Sequence, residues 1–155
     1  MSTTLDLGSS KLGIKASVIQ DINIYHHPVT AGTTAYVTKY IKNVTIYGIA
    51  SSNDYKIFTL AGATMENCII NCDHACGEGL PTGLINSSLL AQSTITNNTF
   101  FGIRVSLGNS YIATNNKGAL ITIPTGVSGC IVTNNVMTTV TNSSSGGNIV
   151  ENNLS

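Results

Sequence analysis

The chain has 155 residues, of which 42% are hydrophobic and only 9% charged, with seven Lys and Arg balancing seven Asp and Glu. That is one domain's worth of chain, and a neutral protein with a pI near 6.8 lacks the basic footprint that binds nucleic acid or an anionic membrane surface. An ordinary domain carries about 25% charged residues, so Ser, Thr and Asn must solvate this surface instead.

Residues 1–20 read as an N-terminal lead-in. The opening Met1-Ser2-Thr3-Thr4-Leu5-Asp6 has neither the basic region nor the apolar stretch of a secretory signal peptide. No run approaches the roughly 18 apolar residues of a membrane span, so no membrane insertion is expected.

From residue 21 a loose repeat begins. Asp21-Ile22-Asn23-Ile24-Tyr25, Asn43-Val44-Thr45-Ile46-Tyr47 and Asn67-Cys68-Ile69-Ile70-Asn71 share one pattern at steps of roughly 22 and 24 residues, with roughly 26 more from Asn71 to the next corner at Asn97, as expected of coils with loop insertions across residues 21–92. The step then tightens over residues 93–155. Thr96-Asn97-Asn98, Thr114-Asn115-Asn116, Thr133-Asn134-Asn135 and Glu151-Asn152-Asn153 recur at spacings of 18, 19 and 18, each after a short β-prone stretch. Val, Ile, Thr and Tyr interrupted by Asn, Gly and Ser disfavour helix, and the period is too short for a two-helix repeat. The pattern predicts an all-β chain, a right-handed parallel β-helix of about seven coils, on the order of 34 Å long at the inter-strand spacing. Asn tolerates the left-handed conformation of a sharp corner, and its amide can bond the Asn one coil above. Ile95, Val132 and Val150, with Phe100 and Met137 past the corner, should point inward.

On these residues the chain resembles the pectate-lyase-like right-handed β-helix superfamily, and in character its bacteriophage tailspike and tail-fibre members. Ile131-Val132-Thr133-Asn134-Asn135-Val136 and Gly147-Asn148-Ile149-Val150-Glu151-Asn152-Asn153 look like coils of that family. The resemblance covers residues 40–155 well and residues 15–40 poorly. It implies a homotrimer of parallel rods, a place in the virion tail and a bacterial surface polysaccharide as partner. It leaves binding and cleavage both open, because the superfamily contains lyases, hydrolases, epimerases and adhesins.

Charge is scarce after Glu78, where only Arg104, Lys117 and Glu151 remain, which suggests a surface packed against something. The last corner, followed by Leu154-Ser155, carries no polar cap, as expected if a partner subunit covers it or the chain is part of a longer one.

The densest polar patch is Asn71-Cys72-Asp73-His74-Ala75-Cys76-Gly77-Glu78-Gly79, a loop by its glycines. Asp73 and Glu78 could serve as the acid/base pair of a glycan depolymerase if their carboxyls lay roughly 5 to 9 Å apart, with His74 carrying a proton. The same residues equally suit a hydrated surface loop. Cys68, Cys72 and Cys76 lack the second ligand pair of a zinc site, and Cys68 and Cys130 fit buried positions in coil strands. Tyr40, Tyr47 and Tyr55, with Asp54 and Lys56, could form a platform for sugar rings, or be rim residues with buried rings and wet tips. Arg104 lacks the acidic neighbours of a uronate lyase and could instead donate hydrogen bonds to a sugar carboxylate. No cofactor motif is present. The reading is a non-catalytic β-helical segment that takes part in virion assembly and binds a surface polysaccharide. The alternatives are a depolymerase and an ice-binding solenoid built on Thr96, Thr114 and Thr133.

Overall fold

The computed structural model describes residues 3–7, 14–25, 36–47, 55–60, 62–71, 83–87, 92–101, 103–118, 120–136 and 139–155, with backbone alone at 37, 55–60, 83–87 and 103. Among them every regular element is a β-strand, and all strand pairs are parallel. The strands fall into three sheets of five, six and seven strands, visited in turn as the chain winds. This is a parallel β-solenoid. The longest sheet has seven rungs, and the winding amounts to about five turns, slightly fewer than the seven coils expected. Beyond Thr99–Phe101 the five-stranded side shrinks to single bridges linking Thr99, Lys117, Val136 and Leu154. Within residues 1–20, Thr3–Asp6 and Val18–Gln20 already pair into sheets.

Each rung of the seven-stranded sheet is three residues long, and its side chains alternate in the way a pleated strand requires. In Thr94–Thr96, Ile112–Thr114 and Ile131–Thr133 only the middle residue is buried. The registered inner column runs Ile19, Ile41, Met65, Ile95, Ala113, Val132, Val150. A second inner column on the five-stranded side holds Ile24, Ile46, Ile70 and Phe100. Ile95, Phe100 and Val132 are buried as expected, Val150 in the last rung is half-buried, and Met137 lies outside the described residues.

Between these two sheets the chain turns within two residues, and the two residues do different jobs. The first is left-handed in every rung: Asp21, Asn43, Asn67, Asn97, Asn115, Asn134 and Asn152 have φ of 52 to 57°. Asn and Asp are the non-glycine residues that adopt this conformation at least cost. Its backbone N–H donates to the next rung, as from Asn97 to the Thr114 carbonyl at 3.1 Å. The step between the third and fourth corners is 30 residues, longer than the roughly 26 expected from Asn71.

The second corner residue points inward. In the last four rungs it is Asn98, Asn116, Asn135 and Asn153, and these form a ladder. Asn116 Oδ1 accepts from the Asn98 backbone N–H and from Asn98 Nδ2, both at 3.0 Å. Asn116 Nδ2 donates to the Ile95 carbonyl at 2.9 Å and to Asn135 Oδ1 at 3.0 Å. Asn135 repeats the pattern toward Ala113 and Asn153. All four hydrogen-bonding positions of Asn116 and Asn135 are thereby filled, which is what allows an amide to sit at 0 to 1% exposure. In the first three rungs the equivalent positions hold Ile22, Val44 and Cys68, and the amide chain runs outside instead. Asn67 Nδ2 there donates to Asn43 Oδ1 at 3.4 Å, and Asn43 Nδ2 to Asp21 Oδ1 at 2.8 Å.

Candidate functional site

Inward Ile24, Ile46, Ile70 and Phe100 leave the following residue of each strand facing out. The parallel register therefore stacks Asp6, Tyr25, Tyr47, Asn71 and Phe101 into one outer column of the five-stranded sheet. Tyr25, Tyr47 and Phe101 are 41%, 43% and 48% exposed. Tyr25 and Phe101 stand three rungs apart, about 14 Å at the usual inter-strand spacing. Beside this row runs a second outer column of Asn23, Thr45, Ile69, Thr99, Lys117, Val136 and Leu154, in which Ile69, Val136 and Leu154 are also exposed. A strip of exposed aromatic and aliphatic side chains, interspersed with Asn and Thr on a regular sheet, is the kind of surface that marks a binding face. Lys117 is exposed within it and forms no ion pair among the described residues.

The outer face of the seven-stranded sheet is polar at one end and bland at the other. Tyr40 Oη donates to Glu66 Oε1 at 2.9 Å, and Lys42 Nζ lies 2.6 Å from the same oxygen. The Lys42 hydrogen bond, joined by that of Tyr40, holds the Glu66 carboxyl below the usual carboxylate range, while Glu66 in turn raises Lys42. A carboxylate kept ionised by two donors is not a proton donor for glycoside cleavage, which needs a second carboxyl across the scissile bond. Past Glu66 the outward residues are Thr94, Thr96, Ile112, Thr114, Ile131, Thr133 and Ile149, with no charge before Glu151. Thr96, Thr114 and Thr133 stack in one column, and the Thr96 and Thr114 hydroxyls bond each other at 3.1 Å.

The structure separates the anticipated tyrosine platform. Tyr40 lies on the seven-stranded sheet, Tyr47 on the five-stranded sheet, and the backbone of Tyr55 begins a strand of the six-stranded sheet. Sides of the coil follow each other every seven or so residues here, so tyrosines that far apart land on successive faces. Residues one coil apart share a face instead, and the step from Tyr25 to Tyr47 was the signal for the row. Asp54, Asp73, His74 and Glu78 lie outside the described residues, as does the side chain of Tyr55. Arg104 is half-buried on the outer side of the six-stranded sheet, its backbone registered between Leu84 and Leu120, so it belongs to neither face above. Lys42, Glu66 and Phe101 were not anticipated as site residues.

Cys68 and Cys130 are free and buried at coil corners beside the strands rather than within them. Burial pushes the Cys68 thiol up to about 11 and raises Cys130 as well, so both are poor nucleophiles. Among the described residues no group of His, Cys, Asp and Glu could hold a metal ion, and no helix is long and apolar enough to cross a membrane.

No family model matches the chain, and neither a curated protein nor a solved structure is significantly similar to it. The parallel β-solenoid thus stands on the chain's own geometry.

Proposed function

We propose that this chain is a non-catalytic β-solenoid rod that binds an extended polysaccharide along the outer face of its five-stranded sheet. The supporting observation is the exposed row of Tyr25, Tyr47 and Phe101, held in register by strands whose other side is core. Aromatic faces on a rigid array bury the apolar faces of sugar rings without an ordering cost, and neighbouring Asn and Thr side chains suit sugar hydroxyls. Together with the resemblance in its coils, this favours a segment of a phage tailspike or tail fibre that acts in virion assembly and attaches to a bacterial surface polysaccharide. In a homotrimer the nearly chargeless face between Thr94 and Ile149 would pack between rods.

The test is retention on an array of bacterial surface polysaccharides. Tyr47→Ala is expected to weaken binding about fivefold, the worth of one aromatic contact, and the Tyr25→Ala/Tyr47→Ala double variant more. A wild-type protein retained by no glycan would remove the reading. Shortening of a bound glycan by the wild type would remove its non-catalytic part, and Asp73→Asn and Glu78→Gln would then report whether those carboxyls do the cleaving.

The stacked Thr96, Thr114 and Thr133 favour a second reading, an ice-facing surface. It competes with trimer packing for the same face. Thermal hysteresis from a monomer would support it, and a trimeric mass in light scattering would deprive it of its surface.

A further inference from the structure

The binding row is electrically asymmetric along its length. Among the described residues its outer face carries two charged side chains, Asp6 in line with Tyr25 at one end and Lys117 one rung beyond Phe101 at the other. Lys117 sits in the column next to the aromatic row, between Thr99 and Val136, with its backbone fixed on both sides. Its N–H donates to the Asn98 carbonyl at 2.9 Å, and its carbonyl accepts from the Phe100 N–H at 2.9 Å. The side chain is exposed, and no carboxylate of the described residues pairs with it. Elsewhere on this molecule the half-buried Lys42 is tied to Glu66, so the contrast is between an occupied ammonium and an available one.

Resting on the glycan reading above, we infer that Lys117 reads a carboxylate substituent on the sugar next to the ring stacked on Phe101. Neighbouring columns on one face of a strand are two residues apart, about 7 Å, and rungs about 5 Å. That diagonal is about 9 Å, and an extended lysine side chain covers about 6 Å of it, which brings the ammonium to the near flank of a ring lying on Phe101. The stem would lie along the methyl group of Thr99, and the ammonium would meet the substituent in a partly dehydrated strip, where it is worth more than in open water. Lys117 is thus a specificity-determining residue and has no part in bond cleavage.

The array that tests the glycan reading tests this too, provided each acidic polysaccharide is printed beside its carboxyl-reduced form. The wild type should retain the acidic forms about fivefold more tightly than the reduced ones, with the difference shrinking as salt is raised from 50 to 500 mM. Lys117→Gln should erase that preference while leaving retention of the reduced forms unchanged, and Lys117→Arg should keep it. Being exposed, these substitutions leave the fold intact, which unchanged far-ultraviolet circular dichroism will verify. If acidic and reduced forms bind equally, or Lys117→Gln keeps the preference, the inference is overturned while the glycan reading stands on Tyr47→Ala. If no glycan is retained at all, both fall.

Discussion

The two halves of the solenoid turn the same corner by different physics. In rungs one to three the inner corner residue is apolar, Ile22, Val44 or Cys68, and a hydrogen-bonded chain from the Asn67 amide through the Asn43 amide to the Asp21 carboxyl runs outside in water. In rungs four to seven the inner residue is Asn, and the ladder is buried from Asn98 to Asn135 and fully bonded at Asn116 and Asn135. The apolar corner needs only a residue that fits the core. The amide corner contributes more hydrogen bonds, but each rung depends on the next, because a buried amide with a missing partner costs more than the bond itself gave. That dependence accompanies the near-constant spacing of 18 and 19 residues in the second half and the looser one in the first.

The largest expected effect breaks the ladder in its middle. Asn116→Ala removes four hydrogen bonds and leaves the Asn98 backbone N–H and Nδ2 facing an apolar methyl at a buried position. We expect a loss of about 4 kcal/mol in chemical denaturation. A loss under about 1 kcal/mol would mean that the ladder is decoration on a fold held by its apolar columns. Next in size is Gly118→Ala. Gly118 follows Lys117 at φ +77°, and a Cβ there would stand 2.3 Å from the Phe100 carbonyl oxygen, so backbone must move at the rung that carries Phe101. About 3 kcal/mol is expected, against about 1 kcal/mol for Gly126→Ala, which has a similar φ of +81° and open space around it. Equal losses in the two variants would show that backbone conformation, and not the close approach, sets the cost.

The corners were the legible part of the sequence, because only Asn and Asp combine a left-handed backbone with a side chain that can stack. Which Asn of each pair turns inward was not legible, since the two are chemically identical and differ only in their place on the arc. The inner columns followed from alternation, and Ile95, Phe100 and Val132 are buried accordingly. The faces were harder. Tyr40 and Tyr47 look like neighbours along the chain, yet a three-sided coil sends them to different sides, whereas Tyr25 and Tyr47, or Lys42 and Glu66, meet only through the winding. Proximity in a solenoid is measured in whole coils, and the uneven first-half spacing hides that measure.

A smaller effect converts one half toward the other. Cys68 already stands in the ladder position: its N–H donates to Asn98 Oδ1 at 2.8 Å, and its Sγ lies 3.7 Å from the Ile41 carbonyl, where Asn98 Nδ2 donates to Met65 at 3.1 Å. Cys68→Asn should extend the ladder by one rung and stabilise the fold by about 1 kcal/mol, read as a raised melting temperature. Destabilisation would mean that the first-half corner is too tight for an amide.

The smallest effect is a difference in pH response between the halves. The Glu66 carboxyl has a lowered pKa, so its ion pair with Lys42 stabilises fully above the ordinary carboxylate range and is lost as pH falls through the lowered folded value. Lys42 has a raised pKa, so its share is present below the ordinary lysine range and is lost only as pH rises through the raised value. The pair is therefore intact across neutral pH and fails first in acid. Both groups face solvent, so the effect is modest. The ladder of Asn98, Asn116 and Asn135 contains nothing that titrates. Between neutral pH and about pH 3, well below the ordinary carboxylate value, amide exchange corrected for its intrinsic pH dependence should lose protection at the Lys42 and Glu66 rungs and keep it at Thr114 and Thr133. Glu66→Gln should abolish the difference. Equal acid sensitivity in both halves would place the weak point in the shared apolar columns and leave the Lys42–Glu66 pair without a measurable share.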